Sequence, residues 1–143
     1  MDINNHIKGL NEARIRAWEA QKAELDATAG RERSAEEQAR IERMDADIDR
    51  LDAEIRTFVQ REQRERLVGE LAQLPGAHVF PSQANMVLVR VPDSQRAFDG
   101  LKRHGVLVKH IAGLHPLLAR CLPLTVGTPE ENDAMIKALE SSL

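Results

Sequence analysis

The stretch QREQRERLVGELAQLPG, residues 60–76, decides how the chain is organised. Its first seven residues carry no apolar side chain, yet they contain no helix breaker. Leu67, Val68, Leu71 and Leu74 then resume an apolar face at helical spacing, and Pro75-Gly76 stops it. One helix is therefore expected to run through a polar waist at Gln60–Arg66, starting near Ala35 and ending near Leu74. At 1.5 Å per residue it would be ~60 Å long.

Composition changes across the same point. Residues 1–66 hold 13 Lys/Arg and 16 Asp/Glu, whereas residues 67–143 hold 7 of each. This break predicts two segments, 1–66 and 67–143. Acidic and basic residues interleave in the first, as on a solvated helix surface, so a basic nucleic-acid face is excluded. No apolar run approaches the ~20 residues that a membrane span needs. The start, Met1 to Asn5, lacks the basic and apolar regions of a signal peptide. These features lead to an expectation of a soluble, cytoplasmic chain. The single cysteine, Cys121, allows no internal disulfide.

Upstream of the waist, Ile3, Ile7, Leu10, Trp18 and Leu25 recur near one helix face, with Ala13 and Ala17 beside them. Asp2 suits the N-cap, and Gly30 the left-handed position after the helix. Ser34 to Glu37 fits a capping box that opens the next helix. There Ile41, Met44, Ile48, Leu51, Ile55 and Phe58 alternate steps of three and four, the 3.5-residue repeat of a coiled-coil seam. A seam this narrow predicts an antiparallel hairpin with the first helix, and Trp18 is expected to fill it.

Downstream, His78–Phe80, Asn85–Val91, Val106–Val108 and Leu122–Val126 read as strands. The second is apolar on both faces and so should be central. Asp93 or Ser94 starts a helix carrying Ala97, Phe98 and Leu101. Thr128-Pro129-Glu130-Glu131 starts a last one, with Met135, Ile136 and Leu139 facing inward. The expected order is α-β-β-α-β-β-α. The predicted class is α+β, a helical hairpin continuing through a long shared helix into a small α/β sandwich.

Candidate chemistry is sparse. His104, His110 and His115 stand six and five residues apart, which matches no zinc pattern, and Cys121 gives no CxxC. Cys121 sits against Leu122-Pro123-Leu124 and is expected to be a buried structural thiol rather than a nucleophile. Asp45, Asp47, Asp49, Asp52 and Glu54 should spread over a solvated face, paired with Arg43, Arg50 and Arg56. Neither GxGxxG nor GxxxxGK[ST] occurs. No catalytic, cofactor-binding or metal-binding residue is expected from these patterns.

Two resemblances add to this reading. LAQLPG, VFPSQANMVLVRV, GVLVK and CLPLTVGTPEENDAMIKAL, within residues 66–143, resemble the small C-terminal domain of histidinol-phosphate aminotransferases, which are fold-type I pyridoxal-phosphate enzymes. The resemblance implies that the cofactor lysine, the pyridine-nitrogen aspartate and the phosphate-binding residues belong to a large domain this chain does not resemble. It also implies an arginine for the substrate carboxylate at the position held here by Pro123. Met86 stands where the family shows an aromatic residue. LNEARIRAWEAQKAELD, RSAEEQARIERMDADIDRLDAEI and QREQRER are similar to the helical, scaffolding-like N-terminal region of HK97-type phage major capsid proteins.

Taken together, the two resemblances imply a chimera joined near Gln63–Leu67, inside one helix, as an engineered rigid fusion would be. The leading expectation is a structural protein with no catalysis and no cofactor. Its partner would be a second copy, bound through the hairpin or through the exposed small-domain surface. Two alternatives are a fragment or relative of the aminotransferase, and a phage capsid assembly segment.

Overall fold

The computed structural model describes residues 2–143, apart from the side chain of Ile3. The expected inward position of Ile3 therefore lies outside the described residues, as does Met1. The chain is helix-rich with one small antiparallel sheet, an α+β composition. It divides into two compact units, residues 1–59 and residues 60–143. Helix α1 covers Ile3–Ala27 and α2 covers Ala35–Ala72. Strands β1 (His78–Val79) and β2 (Met86–Arg90), helix α3 (Ser94–Arg103), strand β3 (Cys121–Thr125) and helix α4 (Pro129–Glu140) follow, with a 3₁₀ turn at Pro116–Leu118.

In the first unit Asp2 caps α1 through the Asn4 amide, and Gly30 takes a φ of 78° after it. The capping box at the start of α2 forms: Glu37 N–H donates to Ser34 Oγ at 3.1 Å, and Ser34 N–H donates to the Glu37 carboxylate at 2.9 Å. Arg31 grips the same carboxylate at 2.6 Å. The Arg31 and Ser34 hydrogen bonds hold the Glu37 carboxyl down at about 2.

Side chains of α1 meet those of α2 in reversed order. His6 lies 4.5 Å from the Phe58 ring and 4.0 Å from Glu54. Arg14 pairs with Asp52, Gln21 bonds Asp45, and Arg40 reaches Glu24 at 2.8 Å. Of the six seam residues, Ile41 and Leu51 are buried, while Met44, Ile48, Ile55 and Phe58 are half-buried.

One expectation fails in this unit and another holds only in part. Trp18 is not in the seam: it is 51% exposed, and Ile15 beside it is 53% exposed. The half-buried positions of α1 are His6, Ile7, Leu10, Ala13, Ala17, Gln21, Glu24 and Leu25, and Thr28 just beyond its end is buried. Ala17 takes the seam position, and its neighbour Trp18 is rotated ~100° away from it. The acidic residues of α2 pair along their own helix only in part. Asp47 meets Arg50 at 3.6 Å, but Asp52 crosses to Arg14 on α1.

In the second unit the sheet has three strands in the order β1-β2-β3, both pairs antiparallel. The apolar β2 is the middle strand. The expected strand at Val106–Val108 does not form; the segment follows the C-cap of α3 without joining the ladder. Val106 N–H turns back to Leu101 C=O at 2.9 Å, which commits its backbone to closing α3. From α2 onward the observed order is therefore α-β-β-α-β-α.

Val87, Val89, Leu122 and Leu124 point to one face of the sheet. They form a core with Leu67 and Leu71 of α2, Leu101 of α3 and Leu139 of α4, all at most 1% exposed. Asp93 caps α3 through the Arg96 amide, and Thr128 forms a full capping box on α4 with Glu131. Glycine is required at position 100, where a Cβ would lie 1.8 Å from Ser142 Oγ.

Candidate functional site

Position 123, where the aminotransferase resemblance implies an arginine, holds a proline. It lies in β3 and is buried, with Leu88 as its cross-strand partner. The ladder explains how a proline is tolerated there. Val91 N–H donates to Arg120 C=O at 2.8 Å, and Val126 N–H donates to Asn85 C=O at 3.1 Å. Bonded and non-bonded pairs alternate along an antiparallel ladder, so Leu88 and Pro123 form a non-bonded pair. The nitrogen of Pro123 faces the open edge of β3, and its missing N–H costs no ladder bond.

The two-residue period puts Met86, Leu88, Arg90, Cys121, Pro123 and Thr125 on the sheet face opposite the core. Arg90 is the one cation among them. It is half-buried, donates from Nη2 to Leu117 C=O at 3.0 Å, and lies 5.1 Å over the Phe80 ring. His78 meets the same ring edge-on at 4.7 Å. Sequence reasoning passed over Arg90; its alternation with Leu88 and Met86 was the available signal. Cys121 is fully buried, with Sγ 3.7 Å from Ala119 C=O. Arg120, just before it, has a φ of 62°, the one non-glycine residue with positive φ among those described.

A cleft of about 390 Å³ opens beside α4, lined in part by His104, Val106, Val108, Thr125, Glu131 and Met135. Both of its titratable groups are already engaged. His104 Nδ1 lies 2.8 Å from Gly100 C=O, and Glu131 closes the α4 capping box. The other two histidines of the spaced set go elsewhere: His110 lies 5.0 Å from the Phe98 ring, and His115 Nδ1 accepts from the Leu117 amide. No group of three or more metal-capable side chains forms among the described residues. No helix is long and apolar enough to cross a membrane, again among the described residues.

The profile of aminotransferase class I and II matches residues 33–139. The chain belongs to that family. Histidinol-phosphate aminotransferase of Methylibium petroleiphilum is 64% identical over 85 residues, covering 59% of this chain and 23% of that protein. The enzyme of the same name from Polaromonas naphthalenivorans is 56% identical over 81 residues, covering 57% of this chain and 22% of its own length. Histidinol-phosphate aminotransferase 1 of Burkholderia lata is 49% identical over 96 residues, 67% of this chain and 26% of that protein. The chain thus spans about a quarter of the length of the curated relatives it matches. A decarboxylase from Sulfurospirillum multivorans shares the fold with a TM-score of 0.53 at 21% identity, over 76% of this chain and 28% of that one.

These matches overturn the reading of the chain as a non-enzymatic structural chimera. The aminotransferase match begins at residue 33 and runs through the supposed join at Gln63–Leu67. The 96-residue match to the Burkholderia lata protein is longer than the whole of residues 67–143, so it too enters the first segment. Residues 33–66, claimed by the capsid resemblance, thus lie within the aminotransferase match. The charged composition of those residues is that of any long solvated helix, which is why it misled. The chain is of enzyme lineage.

Pyridoxal phosphate, which the aminotransferase resemblance implies, does not fit the residues present. An imine-forming lysine becomes nucleophilic at neutral pH when its ammonium is desolvated or crowded by another cation. Lys8, Lys22, Lys102, Lys109 and Lys137 are all exposed, and none lines the cleft.

Proposed function

We propose that this chain is the small-domain portion of a histidinol-phosphate-type aminotransferase, acting beside a cofactor-holding body that residues 1–143 do not supply. The 64% identity over 85 residues to the Methylibium petroleiphilum enzyme carries this reading. In it, residues 60–143 form an α/β sandwich that offers one wall to the substrate, and the helices of residues 1–59 form an antiparallel coiled-coil hairpin. The substrate-carboxylate position is Pro123, which has neither charge nor donor. Arg90, on the same sheet face, remains as the cation of that wall. A cytoplasmic location goes with this reading.

Fragment complementation tests it. The Methylibium petroleiphilum enzyme, shortened by the C-terminal segment that this chain matches, is mixed with the full 143-residue chain and with pyridoxal phosphate. Transamination of histidinol phosphate is then followed. The mixture is expected to turn over slowly and the chain alone not at all. Pro123→Arg should raise the rate of the mixture by about tenfold or more, the worth of a charge-assisted hydrogen bond of ~1.5–3 kcal/mol. The reading fails if the shortened enzyme recovers activity with its own segment but with neither version of this chain.

A further inference from the structure

The side of α1 that faces away from α2 is organised as regularly as the side that faces it. Lys8, Glu12, Ile15, Glu19, Lys22 and Asp26 follow one another at steps of four, three, four, three and four, and all are exposed. That is a second 3.5-residue stripe, opposite Leu10, Ala17 and Glu24. Trp18 flanks it, half exposed, with the Lys22 ammonium 5.5 Å over its ring. Ile15 and Trp18 together place two large apolar side chains in water at the middle of the helix. None of α1 falls within residues 33–139, so the aminotransferase match says nothing about this surface.

Four of the five charges along the stripe are self-complementary. Set a second α1 antiparallel to the first, with the two-fold axis level with Ala17. Lys8 then stands opposite Asp26 of the second copy, and Glu12 stands level with its Lys22. By symmetry each pair occurs twice. Ile15 stands level with Glu19 of the second copy, and Trp18 lies one residue from the axis, so Ile15 and Trp18 of both copies gather at the centre and two small apolar patches become one. Reversing one helix would not produce these two pairs from an arbitrary sequence, because Lys8 and Glu12 must each meet an opposite charge at the same distance from the axis.

We propose that α1 is a self-association surface, and that its occupant is α1 of a second copy of this chain, antiparallel and centred on Ala17. Association removes Ile15 and Trp18 from water, and the ion pairs set direction and register rather than strength. The inference is independent of the aminotransferase reading, because it uses only residues outside the family match.

The test is sedimentation velocity of the full chain across a concentration series, with the emission of its single tryptophan, Trp18, read in parallel. A monomer–dimer equilibrium is expected, with Trp18 emission moving to shorter wavelength as the dimer forms. Trp18→Ala should weaken the dimer by about tenfold or more, as removal of a central aromatic anchor does. Lys22→Glu sets like charges against Glu12 and should weaken it by a comparable factor, about tenfold. The double charge swap Glu12→Lys with Lys22→Glu should return the affinity to within about threefold of the parent, because the pair is restored with its signs exchanged. Circular dichroism confirms that each variant keeps its helix content, and exposed positions tolerate these changes. A chain that stays monomeric at every concentration overturns the proposal. So does a dimer that survives Trp18→Ala unchanged, a charge swap that fails to rescue, or a Trp18 that becomes covered only when some other macromolecule is added.

Discussion

Removal of the Asn132 side chain should loosen the turn that delivers β3 into α4. Asn132 is 5% exposed, and its amide bridges both polar groups of one backbone residue. Gly127 N–H donates to Asn132 Oδ1 at 2.9 Å, and Asn132 Nδ2 donates to Gly127 C=O at 3.2 Å. Asn132→Ala leaves a donor and an acceptor without partners. An unmade hydrogen bond at a buried group costs ~1–3 kcal/mol. Gly127 is half-buried, so water recovers part of this, and a total near 2 kcal/mol is expected. Asn132→Asp should cost about as much less ~0.5 kcal/mol: it keeps the shape and gains from the helix N-terminus, but turns a second acceptor toward Gly127 C=O. Hydrogen exchange read on peptides across residues 121–139 measures the effect. A loss of 2 kcal/mol corresponds to exchange about 30-fold faster in that segment. If Asn132→Ala exchanges at the parent rate there, the amide bridge does not hold the turn and the reasoning fails.

Three more predictions rest on single observations. Arg120 pays for its φ of 62° with a Cβ in the left-handed region, which costs an L-residue ~1–2 kcal/mol, so Arg120→Gly should raise the urea midpoint by the equivalent of about 0.5–1 kcal/mol once glycine's extra chain entropy is deducted. Gly100→Ala drives a methyl into Ser142 Oγ, 1.8 Å from the ideal Cβ, and should lower stability by ~1–3 kcal/mol; adding Ser142→Gly should recover most of it, and a melt that is unmoved by Gly100→Ala would refute the contact. The Glu37 carboxyl is held down at about 2 by Arg31 and Ser34, below its ordinary 4.5, so its contribution is complete above the ordinary value and is lost as the pH falls towards 2. The difference in melting temperature between the parent and Glu37→Gln should therefore be present at neutral pH and vanish by the acid end of that window.

Local signals in the sequence stood up where the physics is local. Asp2, Ser34, Asp93 and Thr128 each bond an amide two or three residues on, so short spacings are enough to place a helix start. The core positions Leu67, Leu71, Leu101, Met135 and Leu139 were legible from periodicity, because one face of each helix must leave water. Val106–Val108 was misread because a strand needs a partner, and apolar residues in a row do not reveal whether one exists. Arg90 was missed because alternation shows that it shares a face with Leu88, but not what lies over that face.

The opening stretch, residues 60–76, shows the division most clearly. Its sequence alone determined a helix that loses its apolar face at Gln60, regains it at Leu67 and ends at Pro75-Gly76; the observed helix ends at Ala72. The polar waist invited a join there, and the family match that crosses it shows that composition does not mark ancestry. Tertiary structure decided which side of α1 is covered. Ala17 and Trp18 are neighbours in sequence, and the larger residue has more to gain from burial. The small one lies inward because the reversed pairing of Arg14, Gln21 and Glu24 with Asp52, Asp45 and Arg40 sets the rotation of α1 about its own axis. A rotation set by several distant contacts together cannot be read from any one residue, and here it leaves Trp18 in solvent.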